Sequence, residues 1–159
     1  MLEAGSRRVA CLTAPSKNSE MVDRERGWRE AQEARGLAPD GRLRFETLNT
    51  FEAAYDFVHR NMEALRSADG FFAVTDIMAL GALQALADEG IKVPRDMRVV
   101  GFDDIEIANW SRPRLTTIHQ PREEIAHLAT ERLFALLQSR GGGVEQRMIP
   151  PFLVRRESC

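Results

Sequence analysis

The chain is poor in the residues that would support covalent or metal chemistry. Cys11 and Cys159 are its two cysteines among 159 residues. One lies in an apolar run and the other at the last position, so no disulfide framework or thiolate metal site can be drawn, and a reducing compartment is expected. His59, His119 and His127 share no metal-ligand spacing, and G-x-S-x-G and phosphate-loop lysine patterns are both missing. A metal, a cofactor and a catalytic nucleophile are therefore not expected. No apolar run approaches the roughly eighteen residues of a membrane span. The opening MLEAGS lacks the charged and apolar regions of an export signal, which makes the cytoplasm the expected location. A net positive charge is also lacking. A net charge of −2 and a pI near 6.0 give no field for a phosphate backbone, so any DNA contact has to come from another segment.

With 43% apolar and 29% charged residues, the chain has the composition of one globular core. Residues 71–121 organise it. FFAV is a short apolar run ending at Thr75 and Asp76, either of which can cap a helix. The helix that follows carries Ala, Leu and Met on nearly every face, so it is buried on more than one side. Gly90 followed by Ile91 closes it. A second apolar run, VVGF at 99–102, shows no polar alternation and suits a parallel strand covered on both faces.

Around this β-α-β unit the other elements fall into place. RVACLTA at 8–14 reads as the first strand, and 15–18 as the loop leaving its carboxyl end. A charged helix over 19–35 buries Met21, Trp28, Ala31 and Ala34. Residues 42–48 form a strand near one edge. Asn49 or Thr50 caps a helix with Phe51, Tyr55, Val58, Met62 and Leu65 at helical spacing. Residues 115–118 are extended, and Pro121 begins a helix that ends at the glycines 141–143. A last strand at 146–156 is interrupted by Pro150 and Pro151. Repeated strand–helix alternation predicts an α/β fold, a doubly wound parallel sheet in three layers with right-handed cross-overs. Ligands of such sheets bind outside the carboxyl ends of the strands, where Thr75, Asp76, Asp103 and Asp104 fall.

Three motifs, TDIMALGAL, VVGFDDI and RPRLTTIHQP, occur in this order. With their spacing they resemble the C-terminal half of the effector-binding core of LacI/GalR-type transcriptional regulators, which is similar to periplasmic sugar-binding proteins. The resemblance covers essentially the whole chain but about half of a full-length regulator, whose helix-turn-helix and most of whose first lobe lie ahead of the residue matching Met1. It implies the C-terminal lobe over 1–118, a cross-over helix of the other lobe over 119–143, and a returning edge strand and tail over 144–159. The helix at 121–140 would then lack its usual sheet and is expected to pack on a second copy or to fold back over this one.

By the same resemblance Arg24 reaches over the cleft, Asp103 accepts hydroxyl or amine protons, and Gln120 is a cross-over residue that touches ligand. Thr75 and Asp76 contribute at a helix N-terminus. Thr75 stands where many sugar-responsive relatives have Asn, and Asn49 near where they have a stacking aromatic. Met78, Leu80, Leu83 and Trp110 would supply a side-by-side homodimer contact. Each residue also has a plainer reading: Asp76 as a pure cap, Arg24 as a surface charge, Asp104 as a turn acid. The expected function is the sensing of a sugar or nucleoside-like effector without catalysis. The alternatives are a transport-type sugar-binding protein, which needs an export signal, and an enzyme built on Asp76, Asp103 and Asp104.

Overall fold

The computed structural model describes residues 1–15, 19–138 and 146–159. Most of the expected loop at 15–18 and the glycine stop at 141–143 lie outside them. Four parallel strands form the main sheet: β1 (Val9–Thr13), β2 (Arg44–Glu46), β3 (Gly70–Ala73) and β4 (Arg98–Val100). Their order is β2-β1-β3-β4. β5 (Thr117–His119) touches the open edge through parallel bridges, Thr116 to Val100 and His119 to Asp103, and pairs antiparallel with β6 (Phe152–Val154). Helices α1 (Ser19–Glu33), α2 (Phe51–Arg60), α3 (Met62–Leu65), α4 (Asp76–Asp88) and α5 (Arg122–Gln138) complete the chain.

β1 is buried at every position, as a central parallel strand requires. α4 is buried at nine of its 13 residues, because it packs between the sheet and α2. Thr75 caps it, and Gly90 at φ 75° lets Ile91 N–H reach the Leu86 carbonyl at 2.9 Å, closing the helix as its sequence foretells. α2 and α4 approach so closely at Gly81 that a methyl group there would overlap the Phe51 carbonyl. At the open edge, Ser158 is fully buried. Its hydroxyl donates to the Val99 carbonyl at 2.7 Å and accepts from Thr116 N–H at 2.8 Å.

Several elements depart from expectation for local reasons. Arg42 lies in a short 3-10 turn, Gly41–Leu43, because Asp40 accepts from its N–H, so β2 starts two residues later than the alternation suggests. The helix at Phe51 breaks at Asn61, whose side-chain amide donates to the Phe57 carbonyl at 2.8 Å. Met62 and Leu65 still reach the core from the separate turn α3. On α1, Trp28 is buried and donates from Nε1 to the Val9 carbonyl at 3.0 Å, but Ala31 and Ala34 are exposed and Met21 only partly covered. α1 leaves an apolar cavity of about 480 Å³ beside it, lined by Trp28, Phe72, Phe102 and Ile118. β6 is confined to three residues beyond Pro150 and Pro151, which have no N–H to pair.

α5 does not fold back over the sheet. No residue of it is buried, and Leu133, Phe134 and Leu137 are more than half exposed. It follows the β5–β6 ribbon's first strand, and its apolar face is left largely open.

Gly81→Ala should lower stability by about 1–3 kcal/mol, the usual cost of overpacking a tight contact. Gly27→Ala, in open space on α1, should be neutral or stabilising by up to about 1 kcal/mol, the difference in helix propensity. Urea denaturation of the two variants measures both.

Candidate functional site

The carboxyl ends of the strands are organised around one carboxylate that never meets solvent. Asp76, at the first turn of α4, accepts from the Thr117 hydroxyl at 2.5 Å and from Ile105 N–H at 3.0 Å. Its own N–H donates to the Phe102 carbonyl at 2.7 Å. A side chain at residue 101 would collide with it, which is why the strand leaves the sheet through Gly101. Burial raises the Asp76 carboxyl above the usual range, against the pull of the Thr117 and Ile105 hydrogen bonds. The chain beyond Phe102 is thereby pinned to α4 and to β5.

Within that pinned loop Asp103 and Asp104 both have positive φ, 122° and 51°. Such conformations cost about 1–3 kcal/mol each in a non-glycine residue and persist where neighbours over-determine them. The neighbours are visible: Asp103 N–H donates to the Ile118 carbonyl at 3.0 Å, and Asp104 N–H to the Thr117 hydroxyl at 3.4 Å. The turn swings the two acids apart.

Asp103 faces the rim. Arg24, from α1, meets its Oδ1 at 3.2 Å, and the Gln120 amide donates to the same oxygen at 2.7 Å. Arg24 is itself fixed by a 2.7 Å hydrogen bond to the Val74 carbonyl and by the Phe102 ring, whose centroid lies 3.9 Å from the guanidinium carbon. Cation–π contact and a backbone acceptor orient the planar fork and leave part of it unused. The three side chains come from α1, the acid loop and the residue after β5, and they meet half-buried at the strand ends. Burial pushes the Asp103 carboxyl above its ordinary range, while Arg24 and Gln120 oppose that shift without cancelling it. A carboxylate has about four lone-pair positions, so Asp103 retains acceptor capacity for a hydroxyl.

Arg24, Asp103 and Gln120 are thus brought together, and Thr75 and Asp76 are not part of the rim. Thr75 is 4% exposed; its hydroxyl donates to Asn49 Oδ1 at 2.6 Å and accepts from Met78 N–H. Both residues lie in the floor beneath the rim, where their side chains are engaged by the chain itself. The expected dimer residues divide in the same way. Met78, Leu80 and Leu83 are buried by the chain's own packing, because α2 already covers that side of α4; Trp110 is 63% exposed. The three aspartates form no shared acid cluster, since Asp76 points to Thr117, Asp103 to Arg24, and Asp104 to Arg156 and His119. Sequence reading misses Phe102, whose position beside Asp103 is its one available signal, and Arg156, which reaches Asp104 across 52 positions.

A half-buried acid, amide and guanidinium thus stand at the carboxyl ends of a parallel sheet, the place where open α/β sheets of the binding-protein type take their ligands. Residues 1–159 match the periplasmic binding protein-like domain. The chain is 33% identical over 162 residues to the ribose operon repressor of Escherichia coli (strain K12), which aligns with 100% of this chain and 48% of that protein. Solved structures agree. The transcriptional repressor ascG of Escherichia coli superposes with TM-score 0.90 at 29% identity, over 99% of this chain and 57% of that one. The regulator CelR in complex with cellobiose superposes with TM-score 0.85 at 30% identity, over 99% and 48%. The chain belongs to the periplasmic binding protein-like family, among the LacI-type regulators. It spans about half the length of the curated relatives it matches.

Removing the buried anchor tests this architecture. Asp76→Ala should cost about 3 kcal/mol, because it strands the Thr117 hydroxyl and Ile105 N–H. Asp76→Asn should cost less. Chemical denaturation of both variants checks the order.

Proposed function

We propose that this chain is the effector-binding lobe of a LacI-type transcriptional regulator, sensing a sugar or related polyhydroxylated metabolite without transforming it. One observation carries the reading: Arg24, Asp103 and Gln120 converge within hydrogen-bonding distance from three separate elements. Asp103 accepts from ligand hydroxyls, Gln120 donates and accepts beside it, and the Arg24 fork orients the ring or a carboxylate. The names of relatives support this ligand class, one being a repressor of a ribose operon and another a regulator in complex with cellobiose. Their being regulators favours sensing over transport and over catalysis. No helix among the described residues is long and apolar enough to cross a membrane, and the site of action that fits a regulator is the cytoplasm.

The mechanism is a shift in population. A ligand that contacts Asp103 and Gln120 favours the arrangement in which the acid loop and the β5–β6 ribbon are close, and the difference in affinity between arrangements is the signal. A homodimer forms through the exposed Trp110 with the adjacent Ile107, while DNA contact falls to a helix-turn-helix outside this chain. α5 belongs with a second lobe that shares the cleft.

Thermal-shift titration with D-ribose and cellobiose should reveal stabilisation by at least one of them. Saturation at about 100 times Kd is worth about 2.7 kcal/mol. Asp103→Asn and Arg24→Met should each weaken that binding about tenfold or more, equivalent to about 1.4 kcal/mol. Unchanged binding in both variants would remove these residues from the site. Because the Asp103 carboxyl titrates above the usual carboxylate range, binding should decline on acidification before ordinary aspartates protonate. The decline should be absent in Asp103→Asn. Affinity measured across pH 4–7 checks this.

A further inference from the structure

The second acid of the loop is as heavily engaged as the first, but with different partners. Asp104 Oδ1 receives Arg156 Nη2 at 2.6 Å, and Oδ2 receives His119 Nδ1 at 2.8 Å. His119 belongs to β5, and Arg156 lies two residues beyond the end of β6. One carboxylate therefore clasps both strands of the ribbon. The clasp is shielded: the Arg156 and Asp104 side chains are 14% and 15% exposed. Arg156 also donates from Nη1 to the Leu115 carbonyl at 2.8 Å and from its backbone N–H to Thr116 Oγ1 at 2.9 Å, while the His119 ring packs on Phe152 at 4.8 Å.

This clasp is a charged tie that joins the hydrogen bonds from Thr117 to Asp76 and from Thr116 N–H to Ser158 in setting the ribbon's direction. β5 and β6 pair over three residues, and the backbone of 116–119 meets β4 and the acid loop in two isolated bridges. Beyond the ribbon, α5 has no buried residue to hold it against the lobe. A tilt of the ribbon would also act on the rim. Gln120 follows His119 directly and donates to Asp103, and Asp103 bridges His119 through the backbone.

We propose that Asp104, His119 and Arg156 form a latch that fixes the angle at which the β5–β6 ribbon and α5 leave the lobe. Asp104 is thereby a positioning residue for the ligand acid Asp103. The two adjacent aspartates divide the work: Asp103 reads the ligand, and Asp104 ties that reading to the strands leading out of the lobe. The link to ligand rests on the effector-binding reading; the mechanical role of the latch does not. Other charged groups face the latch. Arg122 Nη2 approaches the Asp104 carbonyl at 3.5 Å, and the carboxylates of Asp76 and Asp103 raise the local negative charge.

Hydrogen–deuterium exchange on the whole chain tests it. Asp104→Asn and Arg156→Met should each speed exchange in 117–120 and 152–156 about tenfold, as expected for the loss of a charge-assisted hydrogen bond. Exchange in β3 and α4 should stay unchanged. Glu157→Gln breaks the neighbouring surface pair with Arg114 and should leave the ribbon as it was. A uniform rise across the chain would mean that Asp104 serves general stability, and an unchanged ribbon would mean that there is no latch; either result overturns the proposal. Where D-ribose or cellobiose binds the unaltered protein, Asp104→Asn should weaken that sugar about tenfold without moving the pH at which Asp103 loses it. A ribbon that loosens without any change in sugar affinity would break the link to Asp103. An unaltered protein that binds neither sugar counts against the effector reading alone.

Discussion

A buried carboxylate at the head of α4 sets the geometry on which the ligand end depends. Asp76 joins three parts of the chain: the first turn of the central helix, the loop at Ile105 and the strand at Thr117. An ionised or hydrogen-bonded acid in such a place is costly to bury and more costly to leave unpartnered, so the three parts are held to one arrangement. The positive φ angles of Asp103 and Asp104 are a consequence. The loop is fastened at Asp76 and at the Ile118 carbonyl, and the backbone between takes the conformation those anchors leave to it.

That fastening explains why two neighbouring acids behave oppositely. Asp103 turns to the rim, where burial lifts its carboxyl above the ordinary range despite Arg24. For Asp104 burial would also push upward, but hydrogen bonds from Arg156 and His119 outweigh it and hold the carboxyl below the ordinary range. Ionised Asp104 therefore adds stability above the usual aspartate pKa, and that stability is lost as pH falls through its lowered folded value. Asp103 and Asp76 have the reverse sign, since each favours the protonated state when folded.

Much of this was legible in the residues. α4 announces itself by apolar side chains on nearly every face, by Thr75 at its start and by Gly90 at its end, because burial and caps are local in sequence. Arg24, Asp103 and Gln120 are singled out by motif resemblance, and the fold places their side chains together. Thr75 and Asp76 are ambiguous in the sequence, since a cap and a ligand contact at a helix N-terminus use the same residue types, and the structure places both in the buried floor. The α1 face was misread. Ala31 and Ala34 keep helical spacing with Trp28, but an apolar stripe is buried only where a neighbour covers it. Arg156 had no local signal, as its partner is remote in sequence.

Ser158 has a bearing on biosynthesis. This residue fills the gap between Val99 and Thr116, supplying through hydroxyl and backbone the hydrogen bonds that the open edge would otherwise lack. A ribosome releases the chain from the N-terminus onward, so the first four strands can assemble early while their rim waits. The ordered loop of aspartates depends on β5, and β5 is secured by the tail. The rim of Arg24, Asp103 and Gln120 is thus completed only after the sheet that carries it has left the ribosome.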